Sequence, residues 1–367
     1  MLKKLVGHKI FNKVFIKKSD SYKLNNQICI IKTFQNKIFL IFLLKYYNVL
    51  GLCDLNEIKE IKYYKCLHRD ALLCVNKYYK NNQFYKLTSS MDNSVNIYNL
   101  KETEIKIIIK INNVGDNKRG IDINFFTIDS VMMINNNNKD YLITTNFYDK
   151  YIKIYNIFNL NNNDLLNNKD KPNIQIESKY FSEKGVFYIN TIYHNIKKTN
   201  YLIILYINFL YNKLEFNNRS SIDIIDFNTY EKYDNNNTFP KSELIKNFEI
   251  YEENNKKFIY FANYNEVYRY DFYKKRLSTY KIKNQILCIC LIDKNHLIYS
   301  YEKEIISLRV LDEEKFCCKG EKTEKKFLDK VYNITAEKLW DDKMYLFVHL
   351  KNGSILIYHY DFIKLNF

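Results

Sequence analysis

Short stretches in which apolar and polar residues alternate, separated by polar turns, dominate the chain. In residues 86–100, KLTSSMDNSVNIYNL, a turn at Met91–Asn93 leads into apolar Val95 and Ile97, which alternate with polar neighbours. Residues 142–157, LITTNFYDKYIKIYNI, repeat this turn, alternation and Tyr-Asn ending. Successive side chains of a β-strand point to opposite faces, so the pattern predicts β-hairpins with one buried face. Helical periodicity is almost absent.

The hairpin recurs along the whole chain. Alignment on the turn and on the strand that follows it gives seven units, whose equivalent end positions are Cys53, Tyr98, Tyr155, Ile225, Tyr270, Arg309 and Tyr358. A supersecondary unit that repeats along the whole chain is typical of repeat architectures.

The second unit, LHRDALLCVNKYY followed by YKLTSSMDNSVNIYNL, resembles a WD repeat. In that family a His, a strand Ser/Thr, a turn Asp and a closing Trp form a hydrogen-bonded chain. The matching positions here are His68, Thr88, Asp92 and Tyr98, and the Tyr hydroxyl can donate where Trp would. The other units match less well, because only the third repeats the turn Asp, at Asp149.

The resemblance implies an all-β fold, a seven-bladed β-propeller of four-stranded antiparallel blades that forms one domain over residues 1–367. The last unit ends with its third strand, Ser354–Tyr360, so we expect Lys9–Lys17 to complete the last blade. Four Asn-rich stretches are predicted to be surface loops: 135–140, 159–172, 212–219 and 233–241.

The amino-acid composition offers a second explanation for the net charge of the chain. The chain has 57 Lys and Arg against 41 Asp and Glu, a net charge of +16 that would ordinarily indicate a nucleic-acid or anionic partner. Its 34 Tyr, 25 Phe, single Trp and Asn runs also indicate A/T-rich codon usage, which favours Lys without any functional reason. Lys274–Lys283 and Lys319–Lys330 are therefore interpreted as solvated loops, with RNA binding as the alternative.

The pattern of apolar residues and cysteines indicates a compartment. The apolar runs at 38–44 and 201–211 are shorter than the ~20 residues that a membrane-spanning helix needs. The eight Cys show no disulfide spacing. We expect a cytoplasmic or nuclear protein that does not bind membranes, with mitochondrial import of the basic N-terminus as the alternative.

Residues that could perform catalysis have simpler structural interpretations. Cys288 and Cys290 share a strand face, but no second Cys or His pair has zinc-like spacing. Cys66 and His68 could form a thiolate pair, although His68 has a structural role in the repeat. Residues 116–122, DNKRGID, contain one of the two Arg residues of a phosphoinositide-binding propeller signature. We therefore expect a non-enzymatic protein without cofactor, metal or small-molecule substrate.

The WD-repeat resemblance also implies a partner face. In that family partners dock on the loops that lead into the innermost strands and on the turn before each closing strand. The candidate residues, for an acidic protein segment, are Tyr46, Arg69, Met91, Tyr148 and Lys351; Asn263 and Glu302 occupy corresponding turn positions. The predicted function is a scaffold in a multiprotein complex. The alternatives are an RNA-associated propeller of ribosome assembly or RNA processing and a methyl esterase of diphthamide synthesis.

Overall fold

A computed structural model describes most of the chain. The described residues are 23–32, 38–45, 49–54, 61–66, 68–70, 72–80, 83–101, 104–111, 130–145, 151–157, 176–181, 185–194, 197–210, 215–233, 239, 242–243, 245, 248–253, 256–293, 295–301, 305–311, 316–340, 343–350 and 355–361. The predicted closing strand Lys9–Lys17 and the predicted loop at 159–172 lie outside these residues.

The chain folds as two compact units. The central unit is Gln27–Asn235, and the second unit joins Asn236–Phe367 to Met1–Asn26. The alternation of apolar and polar residues does produce strands, and the described residues form an all-β structure of antiparallel sheets.

The central unit contains four antiparallel sheets built from consecutive strands. Sheet 1 has β1 (Lys23–Lys32), β2 (Ile38–Lys45), β3 (Val49–Asp54) and β4 (Ile61–Lys65). Sheet 2 has β5 (Leu72–Lys80), β6 (Gln83–Ser90), β7 (Val95–Lys101) and β8 (Glu104–Ile111). Sheet 3 has β9 (Ser130–Asn136), β10 (Lys139–Thr145), β11 (Tyr151–Ile157) and β12 (Ile176–Phe181). Sheet 4 is built on β13 (Gly185–His194), β14 (Thr199–Leu210) and β15 (Glu215–Asp226).

The second unit continues the same arrangement. It begins with the short strand β16 (Ser242–Glu243). Sheet 5 has β17 (Phe248–Glu253), β18 (Lys256–Ala262), β19 (Glu266–Asp271) and β20 (Arg276–Lys281). Sheet 6 has β21 (Ile286–Leu291), β22 (His296–Tyr301), β23 (Ile305–Leu311) and β24 (Cys318–Lys326). Among the described residues, sheet 7 has three strands, β25 (Val331–Trp340), β26 (Lys343–Leu350) and β27 (Ile355–Asp361).

The sequence repeat corresponds to the sheets. Each of the seven aligned end positions, from Cys53 to Tyr358, lies on the third strand of its sheet: β3, β7, β11, β15, β19, β23 and β27. The described strands thus form seven antiparallel sheets, and the aligned unit corresponds to one sheet.

Two of the predicted Asn-rich loops are wrong in part. Residues 135–140 form the tip of the β9–β10 hairpin, in which Asn136 pairs with Lys139. The two residues between them, Asn137 and Asn138, have φ angles of 51° and 62°. Asn tolerates this left-handed conformation and so favours tight two-residue hairpin turns. In the stretch 212–219, Glu215–Arg219 belongs to β15. Amino-acid composition alone does not distinguish an Asn in a tight hairpin turn or a strand from an Asn in a loop.

Apolar side chains pack between neighbouring sheets. Sheets 2 and 3 share a core that includes Tyr85, Leu87, Leu142 and Tyr155. In the second unit, sheets 5 and 6 enclose one core, and sheets 6 and 7 enclose another. Burial of these faces supplies the main stabilisation of such sheets.

A buried carboxylate also joins sheets 2 and 3. Asp140 on β10 accepts hydrogen bonds from the Tyr78 hydroxyl (2.7 Å), Asn135 Nδ2 (2.8 Å) and Lys80 Nζ (2.5 Å). Its side chain is almost fully buried, whereas that of Lys80 is partly exposed. Burial, and then the hydrogen bond to Asp140, raise the pKa of Tyr78, so its hydroxyl stays a donor. Asp140 is therefore a polar link within an otherwise apolar interface.

We expect Asp140→Ala to lower the free energy of unfolding by about 3 kcal/mol, because Lys80 and Tyr78 lose their acceptor at a buried site. The control is Asp223→Ala on β15, since Asp223 pairs with Lys232 (3.1 Å) in a partly exposed ion pair worth less than about 1 kcal/mol. Urea denaturation of both variants measures the difference. Equal losses in the two variants would contradict the role given to Asp140.

Candidate functional site

The connection between sheets 1 and 2 is held by a buried histidine. His68 follows β4 and precedes β5, and its ring is buried. Nε2 lies 2.8 Å from the Thr88 hydroxyl on β6. Nδ1 lies 2.7 Å from the Ser94 hydroxyl and 3.3 Å from Asp92 Oδ1. His68 thus joins the loop to both ends of the β6–β7 turn.

Asp92 accepts hydrogen bonds from several directions within that turn. Its Oδ1 accepts from the Ser94 amide (3.0 Å) and the Ser94 hydroxyl (2.5 Å). Its Oδ2 accepts from the backbone amide of Arg69 at 2.5 Å. The carboxylate therefore satisfies turn and loop donors together, as a turn Asp commonly does for its own backbone.

The fourth member of the motif, Tyr98, completes the chain on β7. Asn96 Nδ2 donates to the Tyr98 hydroxyl at 3.1 Å, and this hydroxyl is also hydrogen-bonded to Thr88. Burial, and then the nearby Cys66, raise the pKa of Tyr98, which keeps the hydroxyl protonated. Its proton is therefore available to Thr88.

The direction of the hydrogen bonds follows from the acceptor at one end. Burial alone would raise the pKa of Asp92, but hydrogen bonds from His68, Ser94 and the Arg69 amide outweigh it and hold that pKa below its usual value. An ionised carboxylate can only accept, so Nδ1 of His68 donates to Asp92, and in the neutral imidazole Nε2 then accepts from Thr88. The donors run in sequence from Tyr98 through Thr88 and His68 to Asp92.

This network fixes a small exposed surface. Ser90 Oγ donates to the Asp70 carbonyl (3.0 Å) and accepts from the Asp92 amide (3.1 Å). Met91, 41% exposed, lies at the tip of this turn, and Arg69 is exposed on the adjoining loop. We call Arg69 and Met91 the loop–turn surface. Its backbone is attached at both sides, so the two side chains project from a rigid base.

Of the other predicted turn positions, one is buried and the rest lie outside the described residues. Tyr46, Tyr148 and Lys351 lie outside the described residues. Asn263, at a corresponding turn position, is buried, because its side chain hydrogen-bonds groups of its own turn. Its Oδ1 accepts from the amides of Asn265 (3.1 Å) and Glu266 (2.8 Å), and its Nδ2 bonds the Tyr268 hydroxyl (3.2 Å).

Sequence reasoning missed the serines and the asparagine that support the motif. Ser94 stands two residues after Asp92, a spacing at which an Asp side chain reaches the backbone amide of a turn, so it could have been found. Ser90 carries no comparable signal, because its acceptor, the Asp70 carbonyl, depends on how the loop folds over the turn, whereas Asn96 bonds the Tyr98 hydroxyl two residues along the same strand. The hydrogen-bonded network therefore contains more residues than the four positions of the sequence motif.

The cysteine candidates lie in apolar surroundings. Cys288 and Cys290 both belong to the core between sheets 6 and 7. Burial raises the pKa of Cys288 to about 11, although Ser300 lies 2.9 Å from its sulfur. Burial also raises the pKa of Cys66. Neutral buried thiols are poor nucleophiles, so these sites favour packing.

Two further properties concern the described part of the chain only. It contains no group of three or more His, Cys, Asp and Glu side chains arranged to bind a metal ion. No helix within the same residues has the length and apolar character needed to cross a membrane.

Comparison with known proteins concerns the fold. No protein-family model and no curated protein matches the chain. Two solved structures that resemble it are of BBS1N in complex with ARL6DN, from crystals soaked with lead or with mercury. The first has a TM-score of 0.60 at 10% identity, covering 91% of this chain and 92% of that one. The second has a TM-score of 0.58 at 9% identity, covering 91% of each chain. These neighbours are β-propellers, and the chain therefore has a β-propeller fold.

Replacing Asp92 should show how much the hydrogen-bonded network contributes to the free energy of unfolding. At pH 7 we expect Asp92→Ala to cost about 1–3 kcal/mol of unfolding free energy, because buried donors lose their acceptor. The folded pKa of Asp92 is depressed, so its stabilisation is complete above the unfolded pKa of about 3.9 and is lost as pH falls through the folded value. The deficit of the variant should shrink below about pH 4.

Denaturant unfolding at several pH values measures this deficit. The control is Glu231→Ala, because Glu231 is an exposed carboxylate after β15 whose hydrogen bonds are made by its backbone, which the substitution keeps. We expect the control to change stability by less than about 0.5 kcal/mol. An Asp92→Ala variant as stable as the parent at pH 7 would contradict the importance of the carboxylate.

Proposed function

We propose that this protein is a non-enzymatic scaffold that binds a protein partner through the loop–turn surface of Arg69 and Met91. The observation that supports this most directly is the hydrogen-bonded base beneath those two side chains. Asp92, His68 and Ser90 hold the loop and the turn together, while Arg69 and Met91 remain exposed. A surface whose backbone is ordered before binding loses little conformational entropy on association.

The residue types also suit a protein partner. Arg and Met are enriched in the centres of protein interfaces. A guanidinium attracts carboxylates and forms two parallel hydrogen bonds with them, so an acidic segment is the expected ligand. The structural neighbour BBS1N was solved in complex with another protein, ARL6DN, which is in keeping with this class of partner.

RNA binding is the second candidate, and the net charge of +16 favours it. Part of this charge lies inside the fold, however. Lys86, Lys153 and Lys257 are buried, and Lys257 pairs with Glu252 at 2.9 Å. Buried or paired lysines contribute little to the field that attracts a polyanion, so we favour the protein partner. A location in the cytoplasm or nucleus accords with either candidate.

We further propose that the propeller has seven four-stranded blades and that Lys9–Lys17 completes the last one. The seven sheets among the described residues support the number of blades. β27 pairs with β26 on one side and has no described strand on the other. An unpaired strand edge is a liability in β-proteins, and an N-terminal strand would cover it.

The partner proposal is tested with the double variant Arg69→Glu, Met91→Ala. The partner is first identified by affinity capture and mass spectrometry, and its association with both proteins is then measured by surface plasmon resonance. We expect slower association from the charge reversal and faster dissociation from the lost apolar contact.

The control carries Lys77→Glu and Tyr79→Ala, which replace an exposed Lys and an exposed Tyr on β5 of the same sheet. It should bind as the parent does. Unchanged kinetics in the Arg69 and Met91 variant, or capture of RNA in place of protein, would refute the loop–turn surface as the partner site.

The closing strand is tested by removing residues 1–17. We expect the midpoint of thermal unfolding to fall, because β27 would lose the strand that we propose beside it. Removal of residues 362–367, which follow β27, is the control for a terminal truncation. A midpoint unaffected by the first deletion would rule out closure by this segment.

A further inference from the structure

A buried arginine lies between aromatic rings in the core of sheets 5 and 6. Arg269 on β19 is 6% exposed. Its guanidinium carbon lies 4.6 Å from the centre of the Phe316 ring and 5.2 Å from the centre of the Phe258 ring. Both rings belong to the apolar core between the two sheets. Tyr260, the cross-strand partner of Arg269, is fully buried beside them.

The charge of Arg269 is uncompensated within the described residues. None of their carboxylates forms an ion pair with it, and Nη1 is buried without a hydrogen-bond partner. Stacking on aromatic faces stabilises a guanidinium, but it leaves the N–H donors at the edge of the group unsatisfied. A buried cation in this state is costly, and an apolar side chain would pack here without that cost. The arrangement therefore calls for an anion.

The backbone beside this arginine is also unusual. Phe316 has a φ of 49°, in the left-handed region that bulky residues avoid. Strained conformations of this kind persist where the surrounding structure requires them, and they cluster at binding sites. Here the strained residue supplies the ring that lies nearest to the guanidinium.

We propose that Arg269 is the binding site for an oxyanion, a phosphate or carboxylate group that enters in the plane of the guanidinium. The rings of Phe258 and Phe316 lie against the guanidinium, and because ring faces cannot accept hydrogen bonds from all of its donors, N–H groups remain for the ligand. A guanidinium matches both oxyanions with two parallel hydrogen bonds, and low local polarity strengthens them. This site belongs to the second unit and does not depend on the loop–turn surface.

The chain itself contains a competing occupant. Asp312, Glu313 and Glu314 stand two to four residues before Phe316 in the sequence and lie outside the described residues. If these carboxylates occupy the site, an external anion will bind only after they are neutralised. The experiment must therefore separate the two occupants.

The probes are inorganic phosphate and acetate, each titrated at constant ionic strength with sodium chloride. Thermal unfolding and isothermal titration calorimetry are recorded for the parent, Arg269→Met and Arg269→Lys. We expect a saturable rise in the unfolding midpoint of the parent with at least one probe, because only the folded protein binds it. Both variants should weaken binding at least tenfold. Arg269→Lys keeps the charge but lacks the fork of donors, so its loss assigns the effect to the guanidinium geometry.

Arg276→Met is the matched control, because Arg276 is an exposed arginine on β20 of the same sheet, and it should respond as the parent does. A response to phosphate alone, to acetate alone or to both supports the site and states its preference. The absence of a saturable response in the parent overturns the proposal. The same response in Arg269→Met also overturns it, because phosphate stabilises proteins through general exclusion without binding to a site. A response seen only in an Asp312→Asn, Glu313→Gln, Glu314→Gln variant also overturns it and assigns the site to the chain's own segment.

Discussion

Several sheets of this protein must bury both of their faces, and the rest of the structure depends on that constraint. In sheet 3, Met133 and Leu142 pack into the core shared with sheet 2. Their neighbours Met132 and Ile143 point the other way, into the core shared with sheet 4. Sheet 6 behaves alike, with Ile289 facing sheet 5 and Cys290 facing sheet 7. A sheet that is apolar on both faces needs a neighbour on each side, which favours successive sheets packed face to face.

Polar groups inside such a stack require partners, and the strand ends supply them. Asp140 gathers three donors where sheets 2 and 3 meet. His68, Thr88, Asp92 and Tyr98 connect the loop before β5 to the strands β6 and β7. The pairing stabilises the fold and also leaves Arg69 and Met91 on an ordered backbone. Structure and proposed function thus share one set of hydrogen bonds.

Arg269 departs from this rule, since its charge lies within a core without a described acidic partner. The two phenylalanine rings compensate it only in part, because a ring face attracts a cation but cannot accept hydrogen bonds from all of its donors. Most buried polar side chains among the described residues are hydrogen-bonded, so the exceptions, which include Arg269 Nη1 and both ring nitrogens of His349, are informative. The contrast with Asp140, which has three donors, is the reason for assigning a ligand to Arg269.

The sequence by itself determined the local structure, because a strand and its turn are encoded over a few residues. The alternation around Val95 and Ile97 located a hairpin, and the repeat alignment found the third strand of each sheet. The pairing of His68, Thr88, Asp92 and Tyr98 followed from a motif that lies within one unit. Only the tertiary structure decided which side chains meet across sheets. Tyr78 and Asp140 are 62 residues apart, and Phe258 on β18 meets Phe316, from the connection between β23 and β24, at Arg269. Their meeting depends on how one sheet packs on the next, which no local pattern of residues specifies.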